Sequence, residues 1–173
     1  MEQDFFLLHS LTSSEEVVVK AKDGVIERLN SHLSTEMTAI SLYFLHAHLC
    51  KAWGLERLYQ KFRDLSMEEM KDTEELIEHI IYLEGMPNMR LNPIQSGQTV
   101  LDQLNIGLEL ERNAVVALTE AIAHCSQVGD YTTRNMLEEM VREEEGHVDW
   151  YETQLETIEQ VGLQNYLTQQ IHA

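Results

Sequence analysis

The sequence predicts an all-α fold built from four long helices. Leu, Glu, Gln, Met and Ala dominate, and alternating runs of β-branched and aromatic residues, which indicate strands, are almost absent. Apolar residues recur three and four positions apart over long stretches, as on the buried face of a helix. The only two prolines, Pro87 and Pro93, lie in one short segment, so the remaining chain is free to be helical.

Glycine turns divide the chain into its predicted elements. Gly54 and Gly129 follow two of the periodic stretches, and Gly85 with Pro87 ends a third, as expected for helix C-termini. Helices A to D and a short fifth helix are predicted at residues 23–53, 55–84, 99–128, 132–161 and 163–171. An N-terminal extension is expected at residues 1–22 and a single domain at residues 23–173.

The connections predict the topology. The turns at Gly54 and Gly129 are so short that the helices on either side must be antiparallel neighbours. Residues 86–98 are long enough to cross the length of the bundle, which is about 45 Å for helices of this size. Two hairpins joined by one long crossover between helices B and C are the ferritin-like arrangement of a four-helix bundle.

Charge and cysteine content restrict the function. A net charge of -18 disfavours binding to nucleic acid or to an anionic membrane and favours cations as partners. Two cysteines, Cys50 and Cys125, are too few for a disulfide framework or a four-thiolate iron site. The acidic N-terminal residues lack the features of a secretory signal, and no run reaches membrane-spanning length, so we expect a cytoplasmic protein.

Acidic residues occupy matched positions in the two predicted hairpins. Glu36 and Glu111 each lie 18 residues before the turn glycine of their hairpin, and Glu69 and Glu144 each lie 15 residues after it. Because the two helices of a hairpin run antiparallel, all four carboxylates are expected at one level of the bundle.

Each returning helix carries a further ligand type three positions after its glutamate, on the same helix face. This residue is Asp72 in the first hairpin and His147 in the second. Converging carboxylates repel one another, and burying an unpaired one costs several kcal/mol. A Glu from each of two helices with Glu-x-x-His from each of the other two holds a di-iron or di-manganese pair. The pattern therefore predicts a two-metal site in which Asp72 replaces one histidine.

A simpler interpretation is that these acidic residues form solvated helix faces, as is usual in a chain with 30 of them. Against it, His147 is the only one of the eight histidines with a glutamate three positions before it. Matched spacing in both hairpins is also hard to obtain by chance. The metal-site hypothesis is therefore favoured.

Met70 and Tyr43 are further candidate residues. Met70 follows Glu69 and is therefore turned roughly 100° away, toward the outer wall of helix B. A thioether can be an axial haem ligand, and at a symmetric dimer face it can bind one haem between two subunits. Met67 competes for this role, and a packing role is the simpler interpretation. Tyr43 lies two turns after Glu36, where its phenol is either an electron donor or a hydrogen-bonded core residue.

Several segments resemble the bacterioferritin family, including YFLHA, WGLERL, EEMK, YLEGMPN, REEEGHVDW and GLQNYL, and the resemblance covers about residues 24–171. It implies a hollow shell of about 24 subunits that oxidises Fe(II) with dioxygen or peroxide and stores a ferric mineral. It also implies haem b at Met70 and a ferredoxin as reductant for iron release. The implied catalytic residues and iron ligands are Glu36, Glu69, Glu111, Glu144 and His147.

The sixth iron ligand of the family is a histidine. This sequence departs from the family pattern because it has Asp72 at that position. The resemblance assigns Glu36 and Asp72 to one iron and Glu111 and His147 to the other, with Glu69 and Glu144 bridging. Because an Asp side chain is shorter than imidazole and adds charge, we expect two metals of unequal occupancy, the weaker one nearest Asp72. A family histidine and acidic residue facing the inner cavity fall on Asp64 and Glu68.

Asp72 also motivates a second hypothesis. In it, this chain is a haem-carrying structural subunit with an impaired ferroxidase centre, assembled in one shell with a fully active bacterioferritin subunit. Two other classes are disfavoured. The charge and the ligand set within one bundle argue against a DNA-protecting mini-ferritin, and a rubrerythrin-like peroxidase needs thiolates that the chain lacks.

Overall fold

The computed structural model describes residues 20–172 and confirms the predicted all-α bundle. No strand occurs within this range. The five helices are α1 (Val25–Ala52), α2 (Glu56–Tyr82), α3 (Val100–Val128), α4 (Tyr131–Val161) and α5 (Leu163–Thr168). The fifth helix is shorter than predicted, and all but residues 20–22 of the proposed N-terminal extension lie outside the described residues.

The two hairpin turns have the same backbone construction. Gly54 and Gly129 adopt φ values of 76° and 73°, in the left-handed region that glycine enters without a Cβ penalty. In each turn the amide after the glycine donates to the carbonyl of the cysteine four residues before it, at 2.9 Å in both cases. The α1–α2 hairpin and the α3–α4 hairpin therefore share one register, with matched residues 75 positions apart.

The crossover between α2 and α3 runs along α1. Side chains of Asn30, Thr38 and His46 form hydrogen bonds with backbone groups of residues 86–96. These three residues span most of the length of α1, so the crossover connects opposite ends of the bundle. Among residues 20–172, no helix combines the length and apolar composition needed to cross a membrane.

The apolar core consists of two clusters separated by a polar level. One cluster lies toward the α1–α2 turn and includes Tyr43, Phe62 and Tyr151. The other lies toward the opposite end of the bundle and includes Leu33 and Leu76. On every one of the four long helices the buried apolar residues stop at this level and resume beyond it. The gap falls at the positions of the four matched glutamates.

Candidate metal centre

Four carboxylates from four helices fill the polar level between the two apolar clusters. Glu36 lies on α1, Glu69 on α2, Glu111 on α3 and Glu144 on α4, and each is at most 2% exposed. Each belongs to an amphipathic helix whose buried face also carries the core leucines, so helix periodicity alone turns these acids inward. The solvated-face interpretation is therefore wrong for these four residues.

One imidazole and three of the carboxylates converge on a common point. Potential ligand atoms of Glu69, Glu111, Glu144 and His147 all lie within 4.8 Å of one another. The Nδ1 atom of His147 is 3.2 Å from Glu69 Oε1, 3.3 Å from Glu144 Oε2 and 3.8 Å from Glu111 Oε1. This arrangement offers one nitrogen and several oxygen donors to a single cation.

A second cluster adjoins the first and contains a residue that the sequence analysis missed. His32, Glu36 and Glu144 bring potential ligand atoms within 4.8 Å of one another, and His32 Nε2 lies 2.9 Å from Glu36 Oε1. Glu144 belongs to both clusters. His32 stands one helical turn before Glu36, and this four-residue spacing was the signal that could have identified it.

Asp72 belongs to neither cluster. It is buried, but it lines a groove of about 360 Å³ between α2 and α4 together with Glu68, Lys71, Glu143 and His147. His147 Nε2 lies 3.3 Å from Glu68 Oε2, so this groove reaches the edge of the first cluster. Asp64, which stands at the position of the family histidine facing the inner cavity, is exposed on α2. The assignment of Asp72 as a metal ligand stays a prediction.

Tyr43 is fully buried beside the centre. Its hydroxyl donates a hydrogen bond to Glu111 Oε1, and its ring lies 6.2 Å from the ring of Tyr151. A phenol that donates to a potential ligand oxygen orients that carboxylate, so the core and site interpretations of Tyr43 are compatible.

Burial and mutual repulsion dominate the electrostatics of the centre. Burial raises the pKa of Glu36, Glu69 and Glu111 well above that of an ordinary glutamate, and neighbouring carboxylates add to the effect. Burial also disfavours ionised Glu144, but hydrogen bonds with His147 and Glu111 and the charges of the nearby histidines outweigh it and lower the pKa of Glu144 to about 2. Burial opposes the charged form of His147 as well, yet Glu144 and Glu69 raise its pKa to about 10.

His32 behaves differently from His147. Burial lowers its pKa below the ordinary value for histidine despite the nearby carboxylates, so its ring is neutral at pH 7. Without a bound cation, protons on the carboxyl groups and one imidazolium offset the buried charge. A divalent cation can replace both, because metal ligands bind in their deprotonated forms.

Unsatisfied polar atoms test whether a metal fits this centre. Within residues 20–172, several buried atoms that could bind a metal make no hydrogen bond of good geometry. They are both carboxylate oxygens of Glu36 and Glu69, Glu144 Oε2, His147 Nδ1, and both ring nitrogens of His32. Buried polar atoms are normally paired, and an unpaired one costs about 1–3 kcal/mol. The donor set and its unsatisfied atoms fit divalent cations.

A crossover bundle with a buried cluster of carboxylates and histidines is the architecture of the ferritin-like class of protein. Residues 26–161 match the family model of the ferritin-like domain. The chain is 38% identical over 149 residues to a bacterioferritin of Brucella melitensis, a match that covers 86% of this chain and 92% of the relative. The chain belongs to the bacterioferritin family of the ferritin-like superfamily.

Other relatives give the same picture. A bacterial ferritin of Pseudomonas aeruginosa is 38% identical over 148 residues, covering 85% of this chain and 96% of the relative. A bacterial ferritin of Synechocystis sp. is 37% identical over 155 residues, covering 88% of this chain and 99% of the relative. The similarity therefore extends across the bundle rather than being confined to the acidic residues.

Proposed function

We propose that this chain is an iron-storage subunit that binds two Fe(II) ions in its centre and oxidises them. The observation that carries the proposal is the convergence of four buried carboxylates and two imidazoles whose donor atoms are largely unsatisfied. Membership in the bacterioferritin family supports iron storage as the function. The net charge of -18 favours the accumulation of cations at the protein surface.

The chemistry is electron transfer from iron to an oxidant. Each Fe(II) loses one electron, so two Fe(II) ions with two protons reduce one hydrogen peroxide to two water molecules. Four Fe(II) ions with four protons reduce one dioxygen to two water molecules. Carboxylates suit this step because hard oxygen ligands favour the more highly charged Fe(III). Glu144 lies in both clusters and is the best placed to bridge the two ions, with Glu69 beside it. Tyr43 positions Glu111 and lies close enough to serve as an electron donor.

Storage requires a shell, and the surface of the α1–α2 hairpin supports one. Large apolar side chains are exposed along this hairpin. They are Phe44 and Leu45 on α1, Trp53 at the end of α1, and Met67, Met70, Ile81 and Tyr82 on α2. A concentration of exposed apolar residues indicates a protein contact surface. We propose that copies of this chain pair through this surface in a shell of about 24 subunits.

Met70 is the proposed haem ligand at such a contact. Its side chain is 46% exposed on α2, so its sulfur would be available to hold haem together with a second copy of the chain. Bound haem would supply electron transfer, with a ferredoxin as the proposed reductant for iron release. Met67 is 45% exposed and is the matched control. M70L is expected to abolish the haem absorption of reconstituted protein, whereas M67L is expected to keep it.

Rapid mixing of metal-free protein with Fe(II) and oxidant tests the ferroxidase proposal. Formation of Fe(III) is expected to be faster than in buffer alone. E144Q removes the carboxylate shared by both clusters and is expected to lower the rate at least about 100-fold, since even indirect ligand partners contribute 10–100-fold. E145Q changes the exposed neighbour on the same helix and is expected to have no effect. If the wild-type rate equals the rate in buffer alone, the ferroxidase proposal is wrong and only the storage function is left.

Asp72 favours the second candidate, a haem-carrying subunit with an impaired centre that assembles with an active partner subunit. Asp72 lies outside both ligand clusters and lines the groove between α2 and α4, which supports an impaired centre. Co-expression with a bacterioferritin that has all six ligands distinguishes the two. Mixed shells together with a slow homopolymer support the second candidate, and an active homopolymer contradicts it.

A further inference from the structure

We propose that His32 is the imidazole ligand of the ion held by the first hairpin, in place of a ligand at position 72. The inference rests on the proposed two-metal centre and assigns a residue to it. His32 on α1, Glu36 on α1 and Glu144 on α4 form its protein ligand cluster, and Asp72 is left in the groove between α2 and α4.

The distance between the two α1 side chains fits shared coordination. Two donors about 2.1 Å from one metal and 90° apart are separated by about 3.0 Å. His32 Nε2 and Glu36 Oε1 are 2.9 Å apart. The same separation suits a simple hydrogen bond, but these two atoms do not form one of good geometry. The pair therefore has the separation of two ligands of one ion, and Glu144 brings a third potential ligand atom into the same cluster.

Burial makes an unused imidazole at this position costly. His32 is 4% exposed, and neither ring nitrogen forms a hydrogen bond of good geometry within the described residues. A histidine that served only as core filling would leave two polar atoms unpaired where an apolar side chain could pack. A metal bond to Nε2 removes one of these costs.

Charge balance separates His32 from Asp72 as the sixth ligand. Four carboxylates carry four negative charges, and two Fe(II) ions carry four positive ones. A neutral imidazole, the form in which histidine binds a metal, completes the set without changing this balance. A fifth carboxylate from Asp72 would leave one uncompensated charge in the interior, which costs several kcal/mol. Asp72 instead lines a solvent-connected groove.

The position in the second hairpin that matches His32 has no room for an imidazole. Gly107 on α3 stands 75 residues after His32, and a Cβ there would lie 2.3 Å from the Tyr151 ring. Tyr151 therefore occupies the space beside Gly107. The second hairpin supplies its imidazole from α4 as His147, and the first supplies one from α1 as His32.

Metal binding to the full-length protein tests the assignment directly. Metal-free wild-type protein, H32L and D72A are titrated with Co(II) under anaerobic conditions, and bound metal per chain is measured by calorimetry and elemental analysis. Two ions are expected for the wild type and for D72A, and one ion for H32L. Anomalous diffraction from Co(II)-soaked wild-type crystals is expected to place an ion about 2.1 Å from His32 Nε2.

The outcomes separate this assignment from the proposed function. If the wild type binds fewer than two ions, the two-metal centre itself fails. If the wild type binds two ions, H32L also binds two and D72A binds one, the ligand is Asp72 and the assignment is wrong. In crystals of the wild type, anomalous peaks that all lie beyond bonding distance of His32 would also overturn the assignment. This second measurement needs no variant, so it can be made even if H32L folds poorly.

Chemical rescue provides a second readout. His32 also lines a cavity of about 110 Å³ with Ser31, Ala117 and Glu120, which gives a small molecule a route to the position of its ring. H32A is expected to regain the second Co(II) ion when free imidazole is added. The control H124A lacks a histidine outside the centre and is expected to bind two Co(II) ions without imidazole. Failure of imidazole to restore binding to folded H32A contradicts ligation by His32.

Discussion

The two hairpins of this bundle have the same turn, the same register and the same pair of carboxylates, yet they carry their histidines on different helices. In the α3–α4 hairpin the imidazole of His147 follows Glu144 on the returning helix. In the α1–α2 hairpin that position holds Asp72, and the buried imidazole of His32 precedes Glu36 on the outgoing helix. Under the proposed assignment of His32, such a centre needs a certain number and charge of converging donors, and more than one helix can supply them.

The steric surroundings differ in the same way. His32 occupies a position whose counterpart, Gly107, has no side chain because Tyr151 fills that space. Leu76 stands at the position matched to Tyr151 and is smaller. One hairpin thus combines a histidine with a leucine, and the other combines a glycine with a tyrosine. Each combination keeps the interior filled, which dense core packing requires.

The largest expected effect comes from removing the matched outgoing carboxylates one at a time. E36Q is expected to lose the ion beside His32, and E111Q is expected to lose the ion beside His147, each with at least about 100-fold weaker binding. Anomalous diffraction on Co(II)-soaked crystals of both variants checks which ion is lost. Loss of the same ion in both variants would show that the two hairpins do not hold separate ions.

A second effect is the pH dependence of metal binding. Glu36, Glu69 and Glu111 have raised pKa values and His147 has a pKa of about 10, so metal binding must displace protons. Affinity is therefore expected to rise from pH 6 to pH 8, by up to about tenfold per pH unit for each proton released.

The histidines sharpen this prediction, because His147 must lose a proton whereas the pKa of His32 is lowered and its ring is already neutral. The ion beside His147 is expected to show the steeper pH dependence. Calorimetric Co(II) titrations of E36Q and E111Q, in buffers of different ionisation enthalpy, measure the protons released at each site. Equal proton release at the two sites would contradict the contrast.

A third prediction concerns the filled space beside Gly107. G107A places a Cβ 2.3 Å from the Tyr151 ring, so overpacking is expected to lower the free energy of unfolding by about 1–3 kcal/mol. G146A is the matched control in α4, where a Cβ meets nothing within 4 Å and helix propensity favours Ala by up to about 1 kcal/mol. Chemical denaturation of metal-free protein measures both, and an unchanged G107A would show that Tyr151 moves freely.

The smallest change is expected from exchanging the imidazole between helices. H32L/D72H makes the first hairpin resemble the second, with Glu-x-x-His on the returning helix. Two Co(II) ions are expected to bind with affinity within about tenfold of the wild type, since the donor set and charge are conserved. Retention of only one ion by the double variant would mean that the backbone of α2 does not present position 72 to the centre.

Much of this architecture could be read from local patterns. Helix periodicity and the turn glycines predicted all four long helices to within a few residues, because left-handed glycine and helix termination are local properties. The fifth helix was predicted too long, ending at residue 171 rather than at Thr168, because short terminal helices fray and depend on what they pack against.

The sequence by itself determined the fold class, the shared register of the hairpins and the level at which Glu36, Glu69, Glu111 and Glu144 meet. These follow from spacings counted along rigid helices from two turns. Only the tertiary structure decided which further side chains lie beside these carboxylates. His32 on α1 lies close to Glu144 on α4, although the two residues are far apart in sequence. Asp72 lines a groove between α2 and α4. Rotation of a helix by a few tens of degrees moves a side chain into or out of such a cluster, and that rotation is set by packing across the bundle.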